Sequence, residues 1–332
     1  MSKTDWHSHF IPPAFADYLR SRSTPPRIFT KDGGELIQTV KEPAPYHPDA
    51  ISDVAARLKS LDAAGIDRQV FSWPGVDSLP LAEAVVIARE FNNAAAALIA
   101  EHPERFSAVA SLPLADAELA ARELERAHEL GLIGAVLPSE AFASLEAAQR
   151  LTPLFKVAQE RKSHLFIHPR FVSPVGEPEP LPLEIDQRGA RLGGLEVQAR
   201  VGNAFFTVAL TDLLVPYPDI VVHLVNLGGT IPFLAERLDI FSARHGLGSV
   251  FERLRRVYVD TANMGPRTIA FAASILGADR IVFGSDQPIS TPLRTVEQLN
   301  ASPITEEQRR TILENPAGRP ERDWAVNPLV LN

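Results

Sequence analysis

The chain has 332 residues, 45% of them hydrophobic, so it can bury a large core as one α/β barrel or as two average domains. The net charge is −8 and no stretch is densely basic, so we do not expect nucleic acid as a partner. The sequence has no apolar signal core and no run of roughly 18 apolar residues, which predicts a cytoplasmic protein that does not bind membranes. The absence of cysteine excludes disulfides and thiolate ligands, which leaves His, Asp and Glu as the strong metal ligands.

Short apolar runs alternate with longer helical stretches. The runs predict strands at Thr4 to His9, Gln69 to Trp73, Phe106 to Leu112, Ile133 to Pro138, His164 to His168, Ile220 to Asn226, Val257 to Thr261 and Ile281 to Ser285. Amphipathic helices are predicted at Asp53 to Ala64, Pro80 to Glu101, Asp116 to Leu130 and Leu145 to Lys162. This alternation predicts an α/β protein with a (β/α)8 TIM barrel, whose active site lies at the carboxyl ends of the strands. The alternative, a doubly wound open sheet, would need a Gly-rich phosphate turn, and none follows the first two strands.

Two segments interrupt the alternation. Residues 13–47 are rich in Pro and Gly with little periodicity, and residues 171–194 contain the run EPEP at 177–180. Both are long for simple connectors, which favours lids or contact arms over the barrel mouth, although a poorly ordered surface excursion fits the composition nearly as well. No internal repeat or interdomain linker is visible, so we predict one domain over residues 1–332.

Four potential metal ligands stand at predicted strand ends. His7 and His9 are two apart on the first strand, so their side chains share a face while Trp6 points away. His168 ends the fifth strand and Asp286 follows the eighth. Three nitrogens and one oxygen suit Zn²⁺, and the same set would accept Mn²⁺ or Fe²⁺. Taken singly, a core histidine or a helix-capping aspartate is as plausible, but the joint placement favours a metal site.

Motifs over nearly the whole chain are similar to those of one known family. They are DWHSHFIP at 5–12, RL, LD and GID between 57 and 67, HPERF at 102–106, GLIGA at 131–135, FIHP at 166–169, LGGTIPF at 227–233 with Arg237, and FGSDQP at 283–288. In order and spacing they resemble the amidohydrolase-related proteins typified by aminocarboxymuconate semialdehyde decarboxylase. The resemblance implies a barrel of the metal-dependent hydrolase type, often a homodimer, that decarboxylates aromatic or unsaturated acids or hydrolyses related small molecules. It also implies His7, His9, His168 and Asp286 as the metal ligands.

Position 226 departs from the family pattern. Decarboxylases of the family usually carry a histidine there, where it can deprotonate a water on the metal. This chain has Asn226, which can orient a water or hold a carbonyl but cannot take up a proton. Strand alternation predicts that His223, three residues earlier, lies on the opposite face and packs against the surrounding helices. Asp286 is therefore the candidate general base.

Three further side chains are candidates for substrate binding. Arg237 matches a family arginine that binds the substrate carboxylate, in some members across the dimer interface. A surface salt bridge with Glu236 or Asp239 is the alternative. Trp73 could stack on a flat substrate and Arg170 could bind an acid group, or both could be ordinary rim structure.

Three functional hypotheses follow. The preferred one is a metal-dependent lyase that decarboxylates a small aromatic or unsaturated carboxylic acid without an oxidant. The second is a hydrolase of a small lactone, amide or related bond, which uses metal-bound hydroxide with Asp286 as proton acceptor. The third is a non-catalytic partner subunit, and the intact ligand set argues against it. Asn226 weakens the lyase more than the hydrolase, whereas the family resemblance favours the lyase.

Overall fold

The computed structural model describes residues 2–39, 43–170, 187–245 and 248–318. The strands are β1 (Thr4–His9), β2 (Arg27–Lys31), β3 (Gly34–Gln38), β4 (Pro43–Pro45), β5 (Arg68–Ser72), β6 (Phe106–Ala108), β7 (Gly134–Pro138), β8 (His164–His168), β9 (Val221–Leu224), β10 (Tyr258–Asp260) and β11 (Ile281–Val282). The helices are α1 (Pro13–Ser21), α2 (Pro48–Ile51), α3 (Val54–Ala64), α4 (Leu81–Glu101), α5 (Ala117–Glu129), α6 (Leu145–Gln149), α7 (Thr152–Glu160), α8 (Arg188–Arg191), α9 (Val197–Phe205), α10 (Ile231–Arg244), α11 (Val250–Leu254), α12 (Pro266–Leu276), α13 (Pro292–Asn300) and α14 (Glu306–Leu313).

Parallel strands close into a barrel. Hydrogen bonds join β1, β5 and β6 into one sheet and β7 through β11 into a second. The two sheets meet at both edges. On one side the N–H of Ala110 donates to the carbonyl of Gly134 at 2.8 Å, and on the other the N–H of Asp286 donates to the carbonyl of His7 at 2.8 Å. The predicted (β/α)8 barrel is confirmed and the open-sheet alternative is excluded, because an open sheet has two unpaired edges.

Local sequence signals explain where the helices begin and end. The side chain of Asp116 accepts the N–H of Leu119 at 3.0 Å and caps α5, and Gly65 ends α3 in the left-handed conformation, φ +65°. The single helix predicted over residues 145–162 is wrong. Two helices, α6 and α7, occupy this stretch because Pro153 lies in the first turn of α7, where it cannot continue a preceding helix.

Residues 13–47 are more regular than their composition predicts. They contain α1 and an antiparallel sheet in which β3 pairs with both β2 and β4. The alternative of a poorly ordered surface excursion is therefore not supported for the described part of this segment. Residues 171–186 of the second interrupting segment lie outside the described residues, and the chain from residue 188 is helical. The role of both segments as lids or contact arms stays a prediction.

Strand β1 does not alternate regularly. Its pairing with β5 is irregular between Asp5 and Ser8. The Trp6 ring stacks on His164 at 4.9 Å, and the His7 ring contacts Phe166 at 4.9 Å. Because residues 164 and 166 share a face of β8, Trp6 and His7 both lie toward that face. The prediction that Trp6 points away from His7 is wrong, since a strand irregularity shifts the alternation by one residue.

Among the described residues, no helix combines the length and the apolar character that are needed to cross a bilayer.

Candidate metal centre

The four predicted ligands come together inside the barrel. Each of His7, His9, His168 and Asp286 offers one nitrogen or oxygen atom, and these atoms all lie within 4.8 Å of one another. Asp286 Oδ1 lies 3.1 Å from His9 Nε2 and 3.3 Å from His7 Nε2. The His168 ring stands 4.8 Å from the His9 ring. His7 and Asp286, which are 279 positions apart in the chain, thus meet because the barrel closes β11 against β1.

Neighbouring groups set the tautomers of two of the imidazoles. Nδ1–H of His7 donates to the Asp260 carboxylate at 2.8 Å. Nδ1–H of His168 donates to the carbonyl of Pro169 at 2.8 Å. A carboxylate and a carbonyl can only accept, so each ring carries a hydrogen on Nδ1, and its Nε2 is the nitrogen available to bind a metal. Such outer partners orient metal-binding histidines in many proteins.

The third imidazole has the same arrangement. His9 Nδ1 lies 3.1 Å from the hydroxyl oxygen of Ser72, and that hydroxyl donates its own hydrogen to the carbonyl of Ser8 at 3.3 Å. The serine oxygen therefore accepts from His9, which leaves Nε2 with a lone pair. All three rings use Nδ1 to bind protein and direct Nε2 toward the cluster.

Asp286 completes the donor set. Asn263 donates to its Oδ2 at 2.6 Å, which leaves Oδ1 facing the imidazoles. Asp286 Oδ1 and His7 Nε2 are buried, and neither has a hydrogen-bond partner among the described residues. Buried polar atoms of this kind usually have a partner, and a cation between them would supply it. Three imidazole nitrogens and one carboxylate oxygen fit a divalent transition metal.

The electrostatics of the cluster favour positive charge at its centre. Burial alone would lower the pKa of His7, but the carboxylates of Asp260 and Asp286 outweigh it and raise this pKa to about 10. Burial, with the nearby imidazoles of His9 and His7, lowers the pKa of His168 well below its usual range. Burial opposes ionisation of Asp286, but His7 and His9 hold its pKa below its usual range. Without a metal, the cluster therefore holds an ionised Asp286 carboxylate beside a protonated His7 and a neutral His168, and a bound cation would take the place of the His7 Nε2 proton.

Asp260 is a residue of this site that the sequence analysis missed. It is fully buried at the end of β10, and its Oδ2 also lies 3.0 Å from His223 Nε2. The prediction that His223 packs against the outer helices is therefore wrong. Strand β9 ends at Leu224 and the chain turns at Asn226, φ +55°, so strand alternation does not apply between positions 223 and 226. The sequence signal that could have identified Asp260 as a site residue is its place at a strand end.

A second missed group lies behind β1. The Asp5 carboxylate accepts from the Ser285 hydroxyl at 2.6 Å and from Gln69 Nε2 at 2.8 Å. Arg57 is only 1% exposed and donates to Gln69 Oε1 at 3.1 Å and to the carbonyl of His9 at 2.9 Å. This network ties the backbone on either side of the β1 ligands to the neighbouring strands.

Two of the predicted substrate-binding residues lie together at the barrel mouth. Trp73, Asp77, His168 and Arg170 line one pocket. Arg170 Nε donates to Asp77 at 2.6 Å, and its side chain is 21% exposed. Because His168 belongs both to this pocket and to the ligand cluster, the pocket lies beside the candidate metal centre.

Arg237 does not join this pocket within one chain. It is exposed on α10, with its guanidinium over the Phe241 ring at 5.2 Å. Asp239, one of its predicted salt-bridge partners, accepts the N–H of Val250 at 2.9 Å.

The parallel barrel is closed, and it holds a buried cluster of three imidazoles and one carboxylate at its strand ends. These features define a metal-binding enzyme scaffold of the (β/α)8 class. A model of the amidohydrolase family matches residues 4–319, and the chain belongs to this family.

Two curated relatives are decarboxylases. Gamma-resorcylate decarboxylase of Rhizobium radiobacter is 28% identical over 280 residues, which cover 76% of this chain and 82% of the relative. The 6-methylsalicylic acid decarboxylase of Penicillium expansum is 25% identical over 335 residues and covers 94% of both chains.

Solved structures have the same fold. The structure of 2,6-dihydroxybenzoate decarboxylase from Rhizobium matches 98% of both chains with a TM-score of 0.72 and 22% identity. That of 5-carboxyvanillate decarboxylase from Novosphingobium aromaticivorans, which contains bound manganese and 3-methoxy-4-hydroxy-5-nitrobenzoic acid, matches 94% of both chains with a TM-score of 0.70 and 21% identity.

Proposed function

We propose that this protein is a metal-dependent, non-oxidative decarboxylase of a small aromatic carboxylic acid. The observation that carries the proposal is the convergence of three imidazoles and one carboxylate within 4.8 Å at the carboxyl ends of the barrel strands. Curated relatives that decarboxylate gamma-resorcylate and 6-methylsalicylic acid support this reaction over hydrolysis. One domain over residues 1–332 and a cytoplasmic location stay predictions.

His7, His9, His168 and Asp286 would hold the metal. The donor set suits Zn²⁺, and the manganese in one solved neighbour supports Mn²⁺ as the alternative. When bound, a divalent cation supplies a Lewis acid that holds the substrate's acid oxygens and stabilises the negative charge that develops in the ring. Metal analysis of protein purified without added metal would decide between the two.

Asp286 is the group to which we assign proton transfer. Decarboxylation breaks the bond between the ring and the carboxylate, releases CO2 and forms a bond to hydrogen, so one proton from solvent must reach the ring carbon. The ionised Asp286 carboxylate would take up this proton and pass it to the ring. Among the four ligands Asp286 is the carboxylate, and Asn263 holds its Oδ2 so that Oδ1 faces the centre. Asn226 cannot carry the proton. Its buried Oδ1, which has no hydrogen-bond partner among the described residues, would orient a substrate hydroxyl.

The pocket and the surface suggest how the substrate binds. Trp73 would stack on an aromatic ring, and the Nη atoms of Arg170 would bind a polar substituent while Nε stays on Asp77. We also propose a homodimer through the face of α10 that carries Arg237. Phe233 on this face is 79% exposed. The mass of the purified protein in solution tests the dimer.

The test compares decarboxylation with hydrolysis on metal-analysed protein. We expect CO2 release from 2,6-dihydroxybenzoate, 6-methylsalicylate or 5-carboxyvanillate and no turnover of a panel of lactones and amides. Asp286→Asn should keep much of the metal and lose at least about 100-fold in turnover, because an amide cannot carry the proton. Hydrolysis without CO2 release would favour the hydrolase. A chain that takes up no metal and turns over nothing would favour the partner-subunit alternative.

A further inference from the structure

A chain of buried polar side chains runs through the barrel behind the metal ligands. Asp260 Oδ2 lies 2.8 Å from His7 Nδ1 and 3.0 Å from His223 Nε2. Farther from the ligands, His223 Nδ1 lies 3.2 Å from His164 Nε2. His164, His223 and Asp260 come from β8, β9 and β10, and all three are 0% exposed. Side chains from three consecutive strands therefore form a hydrogen-bonded chain that begins at His7 and leads away from the ligand cluster.

The chemistry of Asp260 sets the direction of these hydrogen bonds. Its Oδ1 accepts the backbone N–H groups of Asn226 at 2.9 Å and Ala262 at 3.0 Å. Its Oδ2 accepts from the rings of His7 and His223. These bonds use the four lone-pair positions of the carboxylate. The carboxylate is thus held by four donors, and the ring of His223 must carry a hydrogen on Nε2.

His223 is separated from the ligand centre by other groups. Its Nε2–H is committed to Asp260, so its Nδ1 accepts from His164. The Phe166 ring lies 4.7 Å from the His223 ring and 4.9 Å from the His7 ring. With Asp260 on one side and Phe166 on the other, His223 acts on the site through Asp260.

Gly284, which follows β11, leaves space for the contact between His7 and Asp260. A Cβ atom on Gly284 would lie 2.8 Å from the Cβ atoms of both His7 and Asp260. Such a contact is too short for carbon atoms, so any larger residue at 284 would push the pair apart. The absence of a side chain at this position lets His7 and Asp260 approach to hydrogen-bonding distance.

We infer that Asp260 and His223 are a positioning pair that holds His7 in its metal-binding tautomer and orientation. The inference rests on the proposed metal site and concerns metal binding, so it does not depend on which reaction the enzyme catalyses. Without the His223 hydrogen bond, Asp260 Oδ2 keeps His7 as its one side-chain donor, and the carboxylate loses one of the four bonds that fix its orientation. The His7 ring would then lose its fixed direction.

The experiment measures Zn²⁺ affinity by competition with a chromophoric chelator and records the visible spectrum of the Co²⁺-loaded protein. Asp260→Asn should weaken binding by about 100-fold and His223→Leu by about 10-fold, with shifted Co²⁺ bands, because outer partners of metal ligands contribute in this range. His223→Gln should stay within about 3-fold of the wild type, because its amide N–H can replace the lost donor.

His164→Leu is the matched control, since it removes an equally buried imidazole from the same chain but leaves the bond between His223 and Asp260. It should lower thermal stability much as His223→Leu does, with Zn²⁺ affinity and Co²⁺ bands close to wild type. Equal losses of affinity in the two leucine variants, or wild-type affinity in His223→Leu, would overturn the inference. A wild-type chain that binds Zn²⁺ tightly but releases no CO2 would contradict the proposed function alone. A wild-type chain that binds no metal would overturn both.

Discussion

The ligand cluster and the pocket at the barrel mouth are built in opposite ways. The cluster is carried by strand ends, and His7 is 1% exposed with a partner, Asp260, at the end of β10. The pocket is lined by side chains of connecting segments such as Asp77 and Arg170, and Arg170 is 21% exposed beside the segment that begins at residue 171. The difference separates two tasks. Rigid strands hold the groups that do the chemistry, and the connecting segments can vary to choose the substrate.

Loss of a strand-end ligand should have the largest effect. His168→Ala removes one of three nitrogens, and we expect metal content to fall below about one tenth of an equivalent and activity to fall by at least about 1000-fold. Elemental analysis and a CO2 assay on the same preparation measure both. Retention of a full equivalent of metal with normal turnover would show that His168 is an ordinary core histidine.

The second-largest effect is expected at Arg57, in the buried network behind the ligand cluster. Arg57→Met leaves Gln69 Oε1 and the carbonyl of His9 without their donor and leaves the buried Asp5 without its nearby positive charge. Breaking a buried charge network in this way costs about 3–5 kcal/mol in the free energy of unfolding. Urea denaturation of the metal-free protein measures it.

The matched control for Arg57 is Arg20→Met. Arg20 pairs with Glu35 at 2.7 Å on the surface, where its side chain is 37% exposed. Exposed ion pairs contribute at most about 1 kcal/mol, so this variant should unfold close to wild type. If both variants lost equal stability, the distinction between a braced interior and an adaptable surface would not hold.

The smallest effect is expected at the mouth. Arg170→Gln removes a charge from the pocket but no metal ligand, so KM for the aromatic acid should rise by about 10-fold while metal content stays at wild-type level and kcat changes by less than about 3-fold. Steady-state kinetics with metal analysis test this. A loss of metal in this variant would mean that mouth and cluster are one cooperative unit.

Much of the fold and the ligand set could be predicted from the sequence. Apolar runs located the eight barrel strands. His7 and His9 were identified because they share a face of the first strand, His168 because it ends the fifth, and Asp286 because it follows the eighth. These signals are local, since hydrophobic periodicity and strand-end position depend on neighbours in the chain. The errors were local as well. The irregularity in β1 brings Trp6 to the same face as His7. The turn at Asn226 ends the strand alternation from which His223 had been predicted to face the outer helices.

Tertiary structure alone decided which distant groups meet. Asp260 reaches His7 across 253 positions, and Asp5 meets Ser285 across 280. No periodicity encodes such pairs, because they follow from the way in which the barrel brings separate strand ends to within a few ångströms. The sequence by itself therefore determined the class of fold and the chemical type of the ligands. The closed barrel decided which partners orient those ligands and which buried charges stabilise them, since both depend on distance in space.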